Sequence, residues 1–376
     1  MEKRRQSIRH HPLELELPYH IVLDILLRLP FKSIVKCKSV CKQWFTLISD
    51  TLHLHPMLIA HWPNIHLHMV ELRASEFQGL VIGSRPTRIT IKFKTDDYLQ
   101  IVSSSCMGLL LFRSSLRELF YVCNPILGEY TIIPRVRENT FFPCVDVFLG
   151  FSSKTKEFKL LRFFEQRGHN HNIYMAEVHT LGTDSWRSIG EAPNIIHYSA
   201  FHGTFLNGAL HWFVVNDDET SLCCFNLDNE QFQPFPRPSQ FAKCSKISHK
   251  MRRMMSMGVV KDQLFLCHPL NNSVLEIWVM GDYGISESWT RLHVINLPIN
   301  LTSKAIAFLD NGEILMLKFF YYQEILTLDH SDLVSYNPKE GSFRKITTNM
   351  KAEYQIVAYT PSFISLKDAA VIVNRF

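Results

Sequence analysis

The chain has 376 residues, more than one average domain needs, and 46% of them are hydrophobic and 20% charged, which is typical of a globular protein with a large core. The net charge of +5 is modest, and the basic residues lack the interleaved aromatic residues of a nucleic-acid groove, so no nucleic-acid partner is expected. Nine cysteines without a Cys-x-x-Cys pair argue against a zinc ribbon or a thioredoxin-like site and indicate reduced thiols.

The first segment, residues 1–14, is charged and rich in histidine, and we expect it to form a flexible tail. Its basic start is not followed by the apolar stretch of a signal peptide. No apolar run in the chain approaches the roughly 18 residues that a membrane-spanning helix needs, so no membrane association is expected. With the reduced thiols, this predicts a protein of the cytoplasm and/or the nucleus.

The stretch from Leu17 to Ile48 predicts three short helices. Apolar residues follow Pro18 at spacings of one, three and four, and Pro30 ends the first helix. Ser33 is expected to cap the second helix. Three helices in roughly 35 residues cannot enclose all of this apolar surface, because so small a unit buries too little area. Part of the surface is therefore expected to await a partner.

The order of these residues resembles the F-box. The motif's pairs and triplets stand here as Leu17-Pro18, Ile25-Leu26, Leu29-Pro30, Val40-Cys41-Lys42 and Trp44. In that family the module docks on a Skp-type adaptor, which links it to a cullin-based ubiquitin ligase. The resemblance implies an adaptor-binding surface that is formed or supported by Leu17, Pro18, Ile21, Ile25, Leu26, Leu29, Pro30, Ile34, Val40, Cys41 and Trp44. The alternative is that these residues are only the internal core of a small helical bundle.

Residues 15–52 are thus assigned to the F-box, and residues 53–75 are predicted to be a linker. Five histidines in this region suggest metal binding, since His66 and His68 share one face of a strand. Apart from Glu71, no carboxylate or cysteine accompanies them at ligand spacing. A connecting segment is therefore favoured, and no metal site is predicted. The five histidines are His53, His55, His61, His66 and His68.

Residues 76–376 consist of short apolar runs of period two between turn residues, as in an all-β sandwich, barrel or propeller. Two sequence units alternate along this part, one with an Asn between two strands and one with Ser-Trp at the end of a turn. Their spacing suits four-stranded blades of the kelch sort. Five outer hairpins are recognisable, and the strands before Asn124 and after Tyr354 could complete one more blade, so the exact blade number stays open. The key residues are Asn124, Trp186, Asn226, Trp289 and Asn337. The predicted fold is therefore multi-domain, a small all-α F-box of three short helices followed by an all-β propeller-like domain.

This second part resembles the F-box-associated domain of the large plant F-box families. Met107 occupies a place that Asn usually holds in that family, and Gly150 opens a turn shorter than the usual one. These departures concern local loops and leave the class unchanged. The matching signatures are Ser105-Cys106-Met107-Gly108-Leu109-Leu110, Asn124-Pro125, Asn207-Gly208-Ala209-Leu210-His211-Trp212 and Glu276-Ile277-Trp278-Val279-Met280.

No residue pattern in the chain predicts catalysis. The repeated Asn residues are better explained by turns, because Asn bonds its own backbone and tolerates a positive φ. Trp186 and Trp289 are expected to pack as apolar plates between blades, and His211 is expected to be a hydrogen-bonded core histidine. Paired carboxylates, a Gly-x-Ser-x-Gly elbow, a His-Glu-x-x-His helix and Gly-rich phosphate loops are all missing from the sequence. Neither an enzyme nor a cofactor is therefore predicted.

The function that the resemblance implies is the substrate-recognition subunit of an SCF-type (Skp, cullin, F-box) ubiquitin ligase. The helical module would hold the adaptor, and the β domain would hold a target protein that the sequence does not identify. Such a subunit acts by positioning, which raises local concentration and needs no catalytic residue. One alternative is a stand-alone propeller that binds a glycan or a protein without ubiquitin transfer, and another is a propeller hydrolase.

Overall fold

A computed structural model shows the chain as two units, Met1–Leu54 and His55–Phe376. The first is helical and the second is made of β-sheets, which confirms the predicted fold class. We call them the helical unit and the β unit. The residues that the structure describes are 17–29, 31–38, 40–50, 57–62, 66–75, 79–82, 87–89, 99–102, 105–114, 119–135, 144–167, 172–193, 203–215, 220–239, 248–298, 302–309, 311–319, 321–322, 325–326, 332–346, 355–369 and 374–375.

The helical unit contains the three predicted short helices, α1 (Tyr19–Arg28), α2 (Phe31–Cys37) and α3 (Lys42–Asp50). The carbonyl oxygen of Pro18 accepts the first hydrogen bonds of α1, from the backbone N–H groups of Ile21 and Val22 at 2.9 and 3.3 Å. The helix ends at Leu29, which is extended with ψ 149°, the conformation that a residue before proline prefers.

The predicted cap of the second helix is wrong. Because α2 begins at Phe31, Ser33 is its third residue and lies inside the first turn. There its backbone N–H is one of the donors that a cap would serve. Cys41 performs the capping role for α3, since its sulfur accepts a hydrogen bond from the backbone N–H of Trp44 at 3.5 Å.

The β unit is built from antiparallel sheets, and its described residues form five four-stranded blades and one closing sheet. Blade 1 consists of β5 (Leu99–Ile101), β6 (Leu110–Ser114), β7 (Phe120–Asn124) and β8 (Glu129–Ile133), with β28 (Asn374–Arg375) added to β8. Blade 2 consists of β9 (Cys144–Ser152), β10 (Glu157–Arg167), β11 (Asn172–Thr180) and β12 (Arg187–Glu191). Blade 3 consists of β13 (Thr204–Leu206), β14 (Ala209–Val215), β15 (Thr220–Asn226) and β16 (Gln231–Phe235).

The last two blades follow the same order. Blade 4 consists of β17 (Ser256–Val260), β18 (Gln263–Asn271), β19 (Val274–Met280) and β20 (Trp289–Asn296), preceded by the short helix α4 (His249–Met254). Blade 5 consists of β21 (Thr302–Phe308), β22 (Ile314–Phe319), β25 (Asp332–Asn337) and β26 (Ser342–Lys345). A small hairpin within it consists of β23 (Tyr321–Tyr322) and β24 (Ile325–Leu326). Two 3₁₀ turns lie at Ser286–Ser288 and Leu366–Ala369.

The closing sheet joins the two ends of the β unit. Its strands are β1 (Met57–Trp62), β2 (His66–Ser75), β3 (Gly79–Ile82), β4 (Thr87–Ile89) and β27 (Gln355–Tyr359). Strand β27 pairs with β1 in the register Leu58↔Ala358 and Ile59↔Val357. The predicted linker at residues 53–75 is therefore wrong over β1 and β2, because these strands complete a sheet whose partner lies almost 300 residues away.

Apolar clusters fill the space between successive sheets. Each cluster joins residues of two neighbours, as Phe148 and Leu210 do for blades 2 and 3, and Leu58 and Leu315 do for the closing sheet and blade 5. The first strands of blades 2 to 5 contact one another, and β21 also contacts β27. These strands therefore form the inner part of the propeller, as in a ring of blades.

The repeated Asn residues end the third strands of blades 1, 3 and 5, and they form turns as predicted. The side-chain oxygen of Asn124 accepts a hydrogen bond from the backbone N–H of Ile126 at 2.9 Å, and Asn226 and Asn337 bind the second residue after them in the same way. The positive φ falls four residues after each Asn and not on the Asn itself. The residues with positive φ are Gly128, Glu230 and Gly341.

The repeated Trp residues pack between blades, which confirms the prediction. Trp186 contacts Phe120 of blade 1 at a ring-centroid distance of 6.0 Å, and its indole N–H donates to the carbonyl oxygen of Pro134 at 2.9 Å. Trp289 repeats this contact between blades 3 and 4 by donating to Pro236 at 3.0 Å. Both prolines directly follow the outer strand of the preceding blade.

Hydrogen bonds of the last residue of β27 and of the segment after it join the closing sheet to blade 1. The hydroxyl of Tyr359 donates to the carbonyl oxygen of Gly108 at 3.1 Å. The side-chain amide of Asn124 donates to the carbonyl oxygens of Ser362 and Ile364 at 3.1 and 2.8 Å. Gly108 has a φ of 78°, and a Cβ there would lie 2.4 Å from the Ser362 hydroxyl oxygen, so a larger residue does not fit.

Candidate functional site

The buried side chains of the helical unit lie at helical spacing on its three helices. Val22 and Leu26 are four residues apart on α1, Ile34 lies on α2, and Leu47 and Ile48 are adjacent on α3. Two predicted adaptor-binding residues, Leu26 and Ile34, belong to this buried group. They can support a binding surface, but they do not belong to the solvent-exposed surface.

A second set of apolar side chains in the helical unit faces solvent. Three of them are spaced by four residues on and before α1, which places them along one side of that helix. Large apolar side chains that stay exposed along one side of a helix, as these three do, mark an interaction surface. We call this set the exposed apolar face, and its members are Leu17, Ile21, Ile25, Val40 and Phe45, with exposed fractions of 49%, 38%, 46%, 65% and 53%.

The remaining predicted adaptor-binding residues fall into three groups. Pro18 and Cys41 are exposed and adjoin members of the exposed apolar face in the sequence, whereas Leu29 and Trp44 are half-buried. Pro30 lies outside the described residues. The sequence pattern thus combined residues of the surface with residues of the interior, because both kinds recur at the same helical spacing.

Phe45 is a member of the exposed apolar face that the sequence motif did not indicate. The ammonium group of Lys38 lies 4.5 Å from the centroid of its ring, within the range of a cation–π contact. The helical period offered a signal, because Trp44, Leu47 and Ile48 share one side of α3 and Phe45 points away from it. The helical period therefore predicts that the Phe45 ring is exposed, as the structure shows.

Charged residues border the exposed apolar face on α1. The guanidinium of Arg28 lies 2.7 Å from the carboxylate of Asp24, one turn earlier, and both side chains are well exposed. A pair so exposed contributes little to stability. The pair places polar groups beside the exposed residues of α1, so that the exposed apolar face has a defined edge there.

The β unit holds the remaining residues that the sequence singled out. His211 is buried, and its two ring nitrogens lie 3.1 Å from the carbonyl oxygen of Thr204 and 2.8 Å from the hydroxyl of Tyr283. Burial lowers the pKa of His211 to about 4, so the ring is neutral at physiological pH. This confirms the prediction of a hydrogen-bonded core histidine.

The described part of the chain contains no group of three or more His, Cys, Asp or Glu side chains placed to hold a metal ion. Nor does any helix within it have the length and apolar composition to cross a membrane. Seven cysteines of the described part are free thiols, namely Cys37, Cys41, Cys106, Cys123, Cys223, Cys224 and Cys267.

Comparison with known proteins agrees with both parts of this structure. Residues 15–57 match the F-box-like family, and residues 66–366 match the F-box associated beta propeller domain. F-box protein At3g07870 of Arabidopsis thaliana is 28% identical, with 88% of this chain and 87% of the relative covered. F-box/kelch-repeat protein At3g23880 of the same plant is 22% identical, with 93% of this chain and 94% of the relative covered. Among solved structures, TolB from Acinetobacter baumannii has a TM-score of 0.47 at 10% identity, covering 84% of this chain and 69% of TolB.

Proposed function

Because this chain belongs to the F-box associated beta propeller domain family and carries an F-box-like module, we propose that it is the substrate-recognition subunit of an SCF-type ubiquitin ligase. In this proposal the helical unit binds a Skp-type adaptor and through it a cullin, and the β unit binds a target protein. The protein would act in the cytoplasm and/or the nucleus. The domain pair and its plant relatives support substrate recognition.

The exposed apolar face is the observation that carries this proposal. The helical unit leaves Ile21 and Ile25 at 38% and 46% exposure, although Val22 and Leu26 beside them are buried. Burial of a large apolar side chain at an interface is favourable by about 1.5–3 kcal/mol. An adaptor that covers the face would gain this energy at several positions, and such apolar contacts dominate protein interfaces.

The mechanism is one of positioning. Holding the target and the adaptor on one chain converts their encounter into an intramolecular event, which raises the local concentration of the target at the ubiquitin-charged enzyme. The subunit itself forms and breaks no bond. The family models that match the chain are the F-box-like and the F-box associated beta propeller models, and F-box proteins are generally non-catalytic adaptors.

The test is to replace two residues of the exposed apolar face with charged ones. In the full-length chain, Ile21→Asp with Ile25→Asp places two carboxylates where the adaptor would bury apolar surface. We expect the dissociation constant for a Skp-type adaptor to rise by about 100-fold or more, equivalent to roughly 2.7 kcal/mol. Thermal unfolding should change little, because both side chains already face solvent.

The matched control is His20→Asp, which adds a carboxylate to the exposed side of the same helix. It should bind the adaptor as the parent chain does. Equal adaptor capture by the double variant and the parent would contradict the proposal.

The alternative function, a propeller that binds a glycan or a protein without ubiquitin transfer, predicts a different result. In that case the parent chain itself would not associate with a cullin in the presence of the adaptor. A ligase subunit should instead associate with the cullin through the adaptor and lose that association in the Ile21→Asp, Ile25→Asp variant. Its target should remain bound, because the β unit is unchanged.

A further inference from the structure

The exposed apolar side chains of the β unit concentrate on blade 4. Four of the seven large ones that are exposed in the described part of that unit lie on β20 and on the turn before it. Exposed apolar side chains that cluster in this way mark an interaction surface. The four are Tyr283, Ile285, Leu292 and Val294, with exposed fractions of 39%, 50%, 46% and 44%, and the other three are Met107, Ile132 and Val259.

The outermost strands of the other four blades are protected against pairing with another chain. An exposed edge strand invites such pairing, and proteins prevent it with a covering strand, a proline, charged residues or a short length. Strand β28 pairs with β8 in blade 1, and β16 contains Pro234. Strands β12 and β26 have only five and four residues, and each carries two charged ones, namely Arg187 and Glu191 on β12 and Arg344 and Lys345 on β26.

Strand β20, the outermost strand of blade 4, has less of this protection. It is eight residues long and contains neither proline nor lysine, and no described strand pairs with its outer edge. Its one charged residue is Arg291, whose guanidinium lies 2.7 Å from the carboxylate of Glu276 on the neighbouring strand. The edge of blade 4 is therefore the most open to an added strand.

A bulge interrupts β20, as another one interrupts the pairing of β11 with β12. Leu292 is the extra residue, because Arg291 and His293 on either side of it pair with consecutive residues of β19. A bulge disrupts the ladder locally and changes the direction of a side chain. The regular pairing that resumes at His293 continues to Asn296 and includes the exposed Val294, so backbone pairing with an added strand is expected there.

Two carboxylates lie at the end of this edge where β20 begins. Asp282 and Glu287 are exposed residues of the turn before the strand. Neither forms an ion pair within the part of the chain that the structure describes, whereas the charge of Arg291 is offset by Glu276. The edge is therefore apolar along the strand and negative at its start, and a complementary partner carries apolar side chains and a cation.

We propose that the outer edge of blade 4 binds an extended segment of a partner protein, which adds to β20 as a further antiparallel strand. Apolar side chains of the segment contact Leu292 and Val294, and a Lys or Arg residue near its C-terminal end contacts Asp282 and Glu287. Main-chain hydrogen bonds supply the affinity of such a complex, and the side-chain contacts supply its specificity.

The antiparallel direction follows from the blade itself. Every strand pair in blade 4 is antiparallel, and this pairing is slightly more stable per residue than the parallel one. It places the C-terminal end of the segment opposite the start of β20, where the two carboxylates lie. The inference rests on the proposed function in one respect, because it assigns the segment to the target protein.

The experiment uses the full-length chain without adaptor and three synthetic peptides. The first is acetyl-Thr-Val-Thr-Val-Thr-Lys-Lys-amide, which alternates polar and apolar residues and ends in two cations. The second has Glu in place of both Lys residues. The third is the first peptide with an N-methyl group on every Thr and Val residue, which removes the donors of strand hydrogen bonds.

We expect the first peptide to bind at one site per chain in isothermal titration calorimetry, with a dissociation constant below about 1 mM. The Glu peptide should bind about tenfold more weakly or less, because it brings like charges together. The N-methylated peptide should weaken to a similar extent, because it cannot donate hydrogen bonds to the edge of β20.

Substitutions on the strand then locate the bound peptide. Leu292→Lys with Val294→Lys should weaken binding of the first peptide by about tenfold or more, because lysine on an edge strand opposes strand addition. The control is Ile132→Lys, at a residue of similar exposure on the outer strand whose edge β28 covers. It should bind the peptide as the parent chain does, and circular dichroism checks the folding of each variant.

A charge reversal tests the role of the two carboxylates. The chain with Asp282→Lys and Glu287→Lys should prefer the Glu peptide to the Lys peptide by about tenfold, which reverses the preference of the parent. Because an unfolded chain would lose both peptides, a reversed preference reports on charge alone. This result decides the matter if the substitutions at Leu292 and Val294 prevent folding.

Four outcomes would overturn the proposal. The first is no binding of the Lys peptide at about 1 mM, and the second is equal binding of its N-methylated form. The third is unchanged binding by the folded Leu292→Lys, Val294→Lys chain. The fourth is a parent chain that dimerises and becomes monomeric in that variant, which would assign the edge to a second copy. Because no adaptor is present, failure here is distinguishable from failure of the proposed ligase function.

Discussion

The helical unit and the β unit differ in how they cover their apolar side chains. In the β unit, the face of each blade packs on the next, and the large ring of Trp289 is only 6% exposed. In the helical unit, Ile25 and Phe45 remain about half exposed although neighbouring positions are buried. Large apolar side chains at the surface of the β unit lie on turns and strands of several sheets, as Met107 and Leu292 do.

This difference follows from size and closure. Each blade has a neighbour on either side, so the ring covers its own apolar surface when the closing sheet forms. Three short helices have too small an interior to bury every apolar residue that their sequence carries. The β unit therefore completes its own core, whereas the helical unit retains an apolar face for another molecule.

The largest expected effect is a loss of stability in the β unit. Trp289→Ala removes a buried ring between blades 3 and 4 together with its hydrogen bond to Pro236. We expect a loss of about 3–5 kcal/mol in the free energy of unfolding, measured by denaturant titration. Adaptor affinity should not change, because the residue belongs to the other unit.

The matched variant Trp289→Phe keeps a ring at this position and loses only the indole hydrogen bond. It should cost about 1 kcal/mol. If Trp289→Ala were as stable as the parent, the packing between blades would not be the source of the β unit's stability.

An effect of intermediate size tests the seam between the closing sheet and blade 1. Asn124→Ala removes two turn bonds and the two bonds that hold the segment after β27. Asn226→Ala is the control, because that residue makes only the equivalent turn bonds, to Asp228 and Asn229. We expect Asn124→Ala to lower the free energy of unfolding by roughly 2–3 kcal/mol. The loss for Asn226→Ala should be smaller by about 1 kcal/mol.

The measurement for this pair is again the free energy of unfolding, supplemented by amide hydrogen exchange in β27. Faster exchange in β27 should accompany Asn124→Ala alone. Equal stability losses for the two variants would show that the bonds to Ser362 and Ile364 do not hold the seam.

The smallest expected effect concerns an exposed aromatic residue of the helical unit. Phe45→Ser removes an aromatic ring that is 53% exposed, together with its cation–π contact to Lys38, so the free energy of unfolding should fall by only about 1 kcal/mol. Adaptor binding should weaken by roughly tenfold, because a partially buried aromatic contact contributes about 1–2 kcal/mol to an interface. Titration calorimetry with a Skp-type adaptor checks the affinity.

Gln43→Ser, an exposed polar position of the same helix, is the control for this substitution. It should leave both quantities unchanged. A Phe45→Ser chain that unfolds much more easily, yet binds the adaptor normally, would reassign Phe45 to the interior.

Local patterns in the sequence predicted much of the fold correctly. The three helices, the turns at Asn124 and Asn226 and the packing of Trp186 follow from interactions within a few residues or from a repeated unit, and all are confirmed. The cap at Ser33 and the position of the positive φ were wrong, because each depends on where an element begins or how a turn closes. Those details shift by a few residues without any change in the apolar pattern.

The sequence by itself determined the two-part organisation, the repeated units of the β unit and the family motifs, because each depends on the order and spacing of neighbouring residues. Only the tertiary structure decided which apolar residues of the helical unit face solvent and how β27 completes the sheet begun by β1. Solvent exposure and the pairing of distant strands depend on packing between segments far apart in the chain, and the local sequence period does not predict that packing.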